Sequence, residues 1–428
     1  MQKESTIVLS ASQYAPHKLV TDEIQSAINK LDAIGGGHLV LTGGQFFVSS
    51  LAFCSNLHFT VESDASLFFT DDRSTYPILY TRWEGHEQSM YRACLYADHV
   101  ENLTLDGGGV IDGNGSDWWI EFRAKHKKVD HARPYLLSIE HSKRVRISQL
   151  KFTNSPAWTL HPYDCDDVVI DGVSVKNPAD SPNTDGCDPE SCRNLRIVNS
   201  EFNVGDDCIA IKAGTEDAYQ PIACDGVVIA NCNMLHGHGG VVIGSEMSGD
   251  VKNIAITNCT FIDTDRGIRF KTRRGRGGAI DNILINNIIM NNVLCPVVMN
   301  LYYFCGEKGK EKLVWDKNPY PVSEITPSIK HIRISNVNAE HVRSCAGIIY
   351  GLPEMPIEDV HITSSSFYLD QDAEPATPAM FADAPELTKK GFFMENTKNC
   401  ELSDLLVVGS DEAPLFHDKA NEKLVKNL

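Results

Sequence analysis

The chain has 428 residues, a formal charge of −18 and 42% hydrophobic residues. The charge argues against nucleic acid or an anionic membrane as main partner, and no run of about 18 apolar residues offers a membrane span. Thirteen cysteines, an odd number with no CxxC pair, fit neither a disulfide framework nor a metal site. Reduced, buried thiols in a cytoplasmic protein are therefore expected. The opening "MQKESTIVLSASQY" lacks the apolar core of a secretory signal, which points to the same compartment; secretion or the periplasm follows only if a signal was trimmed.

In chain order, "TDEIQSAINKLDAIGGG" places Ile24, Ala27, Ile28 and Leu31 at helical spacing. Thr21 can cap this helix, Asp22 and Glu23 suit its first turn, and Gly35 to Gly37 stop it. A cap over about residues 1–45 is predicted. From Glu101 onward a pattern of alternating β-branched residues followed by Asn or Asp recurs, with segments starting at residues 101, 143, 166, 193, 225, 252, 281, 330 and 358. Between 143 and 281 the steps are 23 to 32 residues, the period of a solenoid. Alternation of period two makes each segment a strand with one buried face. The Asn, Asp and Gly turns tolerate a left-handed backbone. The expectation is an all-β, right-handed parallel β-helix, a single domain over 1–428, with coils about 4.8 Å apart and a short N-terminal capping helix.

Two stretches, 113–134 and 300–327, break the period and are expected to be loops that shape a cleft. Trp118 and Trp119 in the first either stack on sugar rings or anchor the loop. Cys165, Cys192 and Cys224, and likewise Cys232 and Cys259, occupy equivalent places in successive segments, so thiol ladders in the core are expected. The repeated Asn reads as a turn ladder.

The chemistry gathers in the middle of the chain. "SPNTDGCDPESCRNLRIVNSEFNVGDDCIAIKAG" holds Asp185, Asp188, Glu190, Asp206 and Asp207. Asp185 and Asp206 are 21 residues apart, close to one coil. Asp206 and Asp207 follow Gly205, where the backbone must turn if both are to serve one site. Three carboxylates in one patch cannot all ionise, so one keeps its proton. That suits glycoside hydrolysis, with an acid for the leaving oxygen and a base for water; calcium binding and ordinary turn aspartates remain alternatives. About one coil later, His238 lies among four glycines in "LHGHGGVVIGS". Then "DRGIRFKTRRGRGG" sets Arg266, Arg269, Lys271, Arg273, Arg274 and Arg276 against one acid. Arg269 and Lys271 share a strand face and read as a clamp for substrate carboxylates.

Taken in order, "NTDGCD", "GDDCIAIK", "GHGG" and "RGIRFK" resemble the four motifs of the polygalacturonases, glycoside hydrolase family 28. "RWEGHEQSMYRACLYADHVENLTLDGGGVIDGNGSDWW" resembles its bacterial exo-acting branch, and the likeness fades after about Gly351. The resemblance implies a pectin-lyase-like β-helix and hydrolysis of α-1,4-galacturonosidic bonds with inversion, which fits a separation between acid and base of about 6.5–9.5 Å. By position it implies Asp206 as general acid and Asp185 and Asp207 as the groups that hold and deprotonate water. It further implies His238 as support for the acid's protonation state, Arg269 and Lys271 as ligands of a galacturonate carboxylate, and Asn183 as a residue that orders the site. No metal or organic cofactor is implied, and the partner is a galacturonate-containing oligo- or polysaccharide. Phe270 departs from the smaller β-branched residue usual between the two cations and bears on subsite shape. Hydrolysis of rhamnogalacturonan, or a β-helix pectate lyase with calcium and an arginine base, are the alternatives. The insertions, with Arg123, Lys125, Lys127, Lys128, Lys308 and Lys310, are expected to wall off one end of the cleft and to hold a terminal galacturonate, giving exo action.

Overall fold

The structure, a computed structural model, describes residues 5–124, 130–306, 308–411, 415–417 and 425–426. The chain forms two compact units, Met1–Asp206 and Asp207–Leu428, and each is a stretch of right-handed parallel β-helix. The β-branched pairs of the sequence pattern explain why. In the first unit, strands Glu101–Asp106, Lys143–Ser148, Asp166–Asp171 and Arg193–Val198 pair in parallel. Their register stacks Leu103 on Val145, Val168 and Leu195, and Leu105 on Ile147, Ile170 and Ile197. All eight side chains are buried, and burial of each contributes about 1.5–3 kcal/mol relative to exposure. In the second unit, strands Val251–Ile262, Ala279–Asn291, Ser328–Val342 and Ile357–Leu369 stack Ile254, Ile283, Ile332 and Val360 in the same way.

The turns form the expected ladder. Asn253, Asn258, Asn282, Asn287 and Asn336 all have φ between 54° and 58°, where asparagine is among the few tolerated side chains. Each amide then bonds one coil back: Asn282 Nδ2 donates to Asn253 Oδ1 at 2.7 Å, Asn287 to Asn258 at 3.2 Å and Asn336 to Asn287 at 3.3 Å. Eleven of the thirteen cysteines are buried, with Cys54 half-buried and Cys305 exposed. Cys165 and Cys192 each donate to a carbonyl of the preceding coil, Ile139 O and Pro162 O, at 3.2 Å. No disulfide joins cysteines among the described residues.

The capping helix α1 spans Thr21–Asp32 and buries Ile24, Ala27, Ile28 and Leu31 against strands Gly37–Thr42 and Leu51–Ala52. Thr21 is not its cap. Val20 occupies that position with no side-chain bond, because the Thr21 hydroxyl is taken by the Ser49 N–H at 2.7 Å.

The first insertion is more than a loop. Ser116–Arg123 forms helix α2, and both its tryptophans are anchors. Trp119 Nε1 donates to Ser155 O at 2.9 Å. Trp118 meets Tyr76 and Tyr91 edge-on, with centroids 5.6 and 5.3 Å away, and carries the Arg73 guanidinium 4.1 Å from its ring. Lys125, Lys127 and Lys128 lie outside the described residues. The second insertion holds two short helical turns, Lys308–Lys310 and Lys312–Trp315. Arg274 pins it through Leu313 O, Asp316 O and Asn318 O at 2.6–3.2 Å.

Candidate active site

In the first unit, the segment before strand Arg193–Val198 is tied by its own side chains. Asn177 Oδ1 accepts from Ser155 N at 2.8 Å, and its Nδ2 donates to Thr159 Oγ1 and Thr184 O at 2.9 and 3.2 Å. The hydroxyls of Ser181 and Thr184 meet at 2.5 Å. Asn183 turns the chain with φ 53°, and its Oδ1 accepts from Arg133 Nη2 at 2.8 Å. The same guanidinium donates through Nη1 to Pro156 O and Pro182 O. Asp185 follows, 4% exposed, with its carbonyl bonded to Thr159 N–H at 2.9 Å. Burial pushes Arg133 down to about 10, and Glu84, Tyr135, Asp185 and Asp206 are the charges that oppose the fall. It stays a cation at neutral pH.

Asp206 sits in a bend between strands Glu201–Val204 and Asp207–Ile211, as the glycine before it foretold. At Gly205 an added Cβ would lie 2.5 Å from both Pro178 O and Ser181 O, so only glycine lets the chain come this close. One result is that a carboxylate oxygen of Asp206 lies within 4.8 Å of one of Asp185. Gly205 brings Asp206 directly onto the segment that carries Asp185.

In the second unit, strands Asp207–Ile211, Gly239–Gly244, Arg266–Lys271 and Cys295–Asn300 run side by side in one parallel sheet. Asp207 is fully buried. Its Oδ1 accepts from Arg269 Nη1 at 3.2 Å and its Oδ2 from Lys271 Nζ at 2.6 Å. Burial alone would push this carboxyl up; Lys271 and Arg269 outweigh it and hold it below the usual carboxylate range. Gly239 leaves the room for this contact, since a Cβ there would fall 2.4 Å from Val242 Cγ2 and 3.0 Å from Asp207 Oδ1. Tyr303 backs both cations, its centroid 5.6 Å from the Arg269 guanidinium carbon and 5.3 Å from Lys271 Nζ. Lys212 Nζ donates to Glu246 Oε2 at 2.9 Å. Lys212 and Arg276 hold Glu246 well below its ordinary range against the upward push of burial.

The basic block is thus divided by partner. Arg273 and Arg276 both pair with Glu216, Arg274 with Glu354 at 2.6 Å, and Arg266 donates to Pro378 O and Thr377 O. Arg269 and Lys271 alone in the block reach Asp207 among the described residues. Phe270 is buried between Ile243 and Met299, away from the clamp, so it does not shape the site. His238 is exposed just before strand Gly239–Gly244, with its carbonyl accepting from Arg266 N.

Arg133, Lys212, Glu246, Tyr303 and Met380 were not picked out by motif. Lys212 closes "GDDCIAIK" and offered a signal. Tyr303 lies in an insertion and Met380 where the family likeness fades, so neither had one. Met380 Sδ nevertheless accepts from Arg269 Nη2 at 3.4 Å, and its carbonyl takes Asn300 Nδ2 at 2.9 Å.

Known proteins are similar to this chain in sequence and in fold. A probable polygalacturonase of Vitis vinifera is 29% identical over 360 residues, which cover 82% of this chain and 70% of the relative. A polygalacturonase of Juniperus ashei is 31% identical over 288 residues, 65% of this chain; the match spans about half, 52%, of the juniper protein. Among solved structures, an exopolygalacturonase from Thermotoga maritima superposes with TM-score 0.74 at 24% identity, covering 96% of this chain and 94% of that one. A family 28 exopolygalacturonase from Yersinia enterocolitica gives 0.79 at 17% identity, covering 97% and 77%. At these identities the superpositions establish the fold. The sequence profile described as Glycosyl hydrolases family 28 matches residues 47–370, a span that contains all seven candidate residues, and the chain therefore belongs to glycosyl hydrolase family 28.

Proposed function

We propose that this glycoside hydrolase cleaves α-1,4-galacturonosidic bonds in pectic oligo- or polysaccharides, with inversion and from chain ends. The observation that carries the reading is the buried pair Arg269 and Lys271 on one side of Asp207. Two desolvated cations are a strong receptor for a carboxylate, and galacturonan presents one on every sugar. The polygalacturonase names of the curated relatives support the same substrate.

By the order of the motifs, both carboxylate sets are assigned to one reaction, with Asp206 and Asp207 adjacent in the chain. Asp206 gives its proton to the glycosidic oxygen as the C1–O bond breaks. Water attacks C1 from the opposite face and loses a proton to Asp185 or Asp207. Asp207, held ionised by its cations, suits the base and not the acid. It is also already matched by two positive charges, which is a poor donor set for calcium. Asn183 orders the Asp185 segment, and His238 supports the protonation state of Asp206. We favour inversion because Asp207 supplies a second ionised carboxylate to hold the water.

The test is product analysis on polygalacturonate and on defined oligogalacturonides. Mono- or digalacturonate is expected, with viscosity falling slowly relative to reducing ends formed. The first product, read by proton NMR, should be the β-anomer. A rapid viscosity drop would discard the exo reading. An unsaturated, ultraviolet-absorbing product lost on EDTA treatment would replace hydrolysis by a lyase.

A further inference from the structure

The second unit holds a cation that belongs to neither the clamp nor any ion pair. Lys317 Nζ lies 3.4 Å from the Tyr302 ring centroid, 5.2 Å from that of Phe381 and 5.7 Å from that of Tyr350. Tyr350 and Phe381 meet at 5.1 Å with their planes 50° apart, and Tyr302 and Phe381 are buried. The rings thus form a fixed platform under an exposed lysine. Ring faces attract an ammonium within about 6 Å, but they supply no oxygen acceptor for its N–H donors. Nearby cations are already committed: Lys308 to Asp217, Lys312 to Asp316 at 3.7 Å and Arg274 to Glu354 at 2.6 Å. Lys317 has no hydrogen-bond acceptor and no ion-pair partner among the described residues. Burial against the rings draws its pKa below the ordinary lysine value, and Glu395 and Asp383 oppose the fall from outside ion-pair reach.

Register puts the platform on the sheet face that carries the clamp. Lys271 pairs with Asn300, and Asn300 with Tyr350, across successive parallel strands. Residues in register share one face, so Lys271, Asn300 and Tyr350 point the same way. Tyr350 closes strand Cys345–Tyr350, two strands beyond Lys271, or about 10 Å at the usual strand spacing. Met380 ties the two places together: its Sδ accepts from Arg269 and its carbonyl takes Asn300 Nδ2, and Phe381 is the next residue in the chain.

We propose that Lys317 is a second carboxylate receptor, for a uronate further along the same sugar chain than the one at Arg269 and Lys271, and that it makes the enzyme prefer an unesterified sugar there. The proposal rests on the galacturonan reading above. A galacturonan lying along the sheet carries a carboxylate on every ring, so one chain meets both receptors. An exposed ion pair ordinarily contributes little, in part because a long side chain must be ordered to form it. Here the platform has ordered the lysine beforehand, which removes that cost from binding. A methyl ester deletes the charge that the ammonium would meet, and with it the preference.

The test compares wild type with Lys317→Gln and Lys317→Arg on di-, tri- and tetragalacturonate. Lys317→Gln removes the charge of an exposed side chain, and its Tm checks that the fold is kept. On tetragalacturonate it should lower kcat/KM about tenfold, mainly through KM, the scale of one charge-assisted hydrogen bond. The loss should shrink as the substrate shortens to the dimer and vanish on the methyl-esterified tetramer, and Lys317→Arg should restore most of it. Calorimetric titration of tetragalacturonate into wild type and Lys317→Gln reads binding separately from turnover. An active wild type whose Lys317→Gln loss is absent, or equal on dimer and tetramer, would overturn the receptor alone. An equal loss on the charged and esterified tetramers would overturn its preference for a free carboxylate. A wild type that hydrolyses none of these, yet binds tetragalacturonate more tightly than Lys317→Gln does, would leave the receptor standing and sink the hydrolytic reading. Absence of both binding and turnover would remove both.

Discussion

At the scale of single residues, the proposed base Asp207 and the two cations bonded to it, Arg269 and Lys271, can be tested directly. Removal of Lys271 leaves burial to push the Asp207 carboxyl up, since burial is the largest influence and Lys271 the main opposing one. A base must be deprotonated, so activity is lost as pH falls through its pKa. The acid limb of the pH–rate profile should therefore move to higher pH in Lys271→Ala. The same variant, and Arg269→Ala, should lower kcat/KM on polygalacturonate about 10²-fold, with a smaller loss on methyl-esterified pectin, because a charge-assisted bond to substrate goes too. An unmoved acid limb would remove Asp207 from the role of base. Asp206→Asn should keep the fold, read by circular dichroism, and lose about 10²–10⁴ in kcat, the usual scale of acid catalysis. Gly239→Ala tests the space these groups occupy. Its Cβ meets Val242 and Asp207, and overpacking of this kind costs about 1–3 kcal/mol, visible as a lower Tm together with reduced activity.

At the scale of elements, the segments around the clamp are tied by ion pairs that titrate. Glu216 links Arg273 and Arg276 of the strand end to Lys308 of the second insertion. Burial raises its pKa, but Arg276 and Arg273 bring it down to about 2 from 4.5. A depressed folded-state value stabilises above the unfolded pKa and is lost as pH falls through the folded one. Thermal scans should show stability declining between about pH 4.5 and 2, and a shallower slope in Glu216→Gln. The strands, their buried faces and the turn ladder were legible in the sequence because each rests on local spacing: period two for the faces, Asn for the left-handed turns. That Asp207 meets Arg269 and Lys271, and that Asp206 approaches Asp185, was legible from motif order. Tyr303 and Met380 were not, since each comes to the clamp through a long insertion or a late loop whose path no local rule fixes. The Thr21 cap failed for a related reason: a tertiary bond to Ser49 took the hydroxyl that the local rule reserved.

At the scale of the whole molecule, stability in stacked coils is a sum over neighbours. Hydrogen exchange should be slowest in strands Val251–Ile262, Ala279–Asn291 and Ser328–Val342, each of which is paired on both sides by long partners. The hairpin of Ile78–Trp83 and His86–Tyr91 is the antiparallel pair outside the coils. A two-stranded ribbon has little stability of its own, so it should exchange early. Equal protection of hairpin and coils without ligand would contradict that ordering.

The asparagine ladder carries a consequence for how such a protein changes over generations. Asn253 accepts from Asn282, Asn258 from Asn287, and Asn287 in turn from Asn336, so the turn of each coil is written by the coil before it. A duplicated or deleted coil meets the same amide on either side and needs no new corner. Length can then vary in whole coils while the opposite strands, freed from holding the corners, exchange acids, cations and aromatics to suit a different sugar.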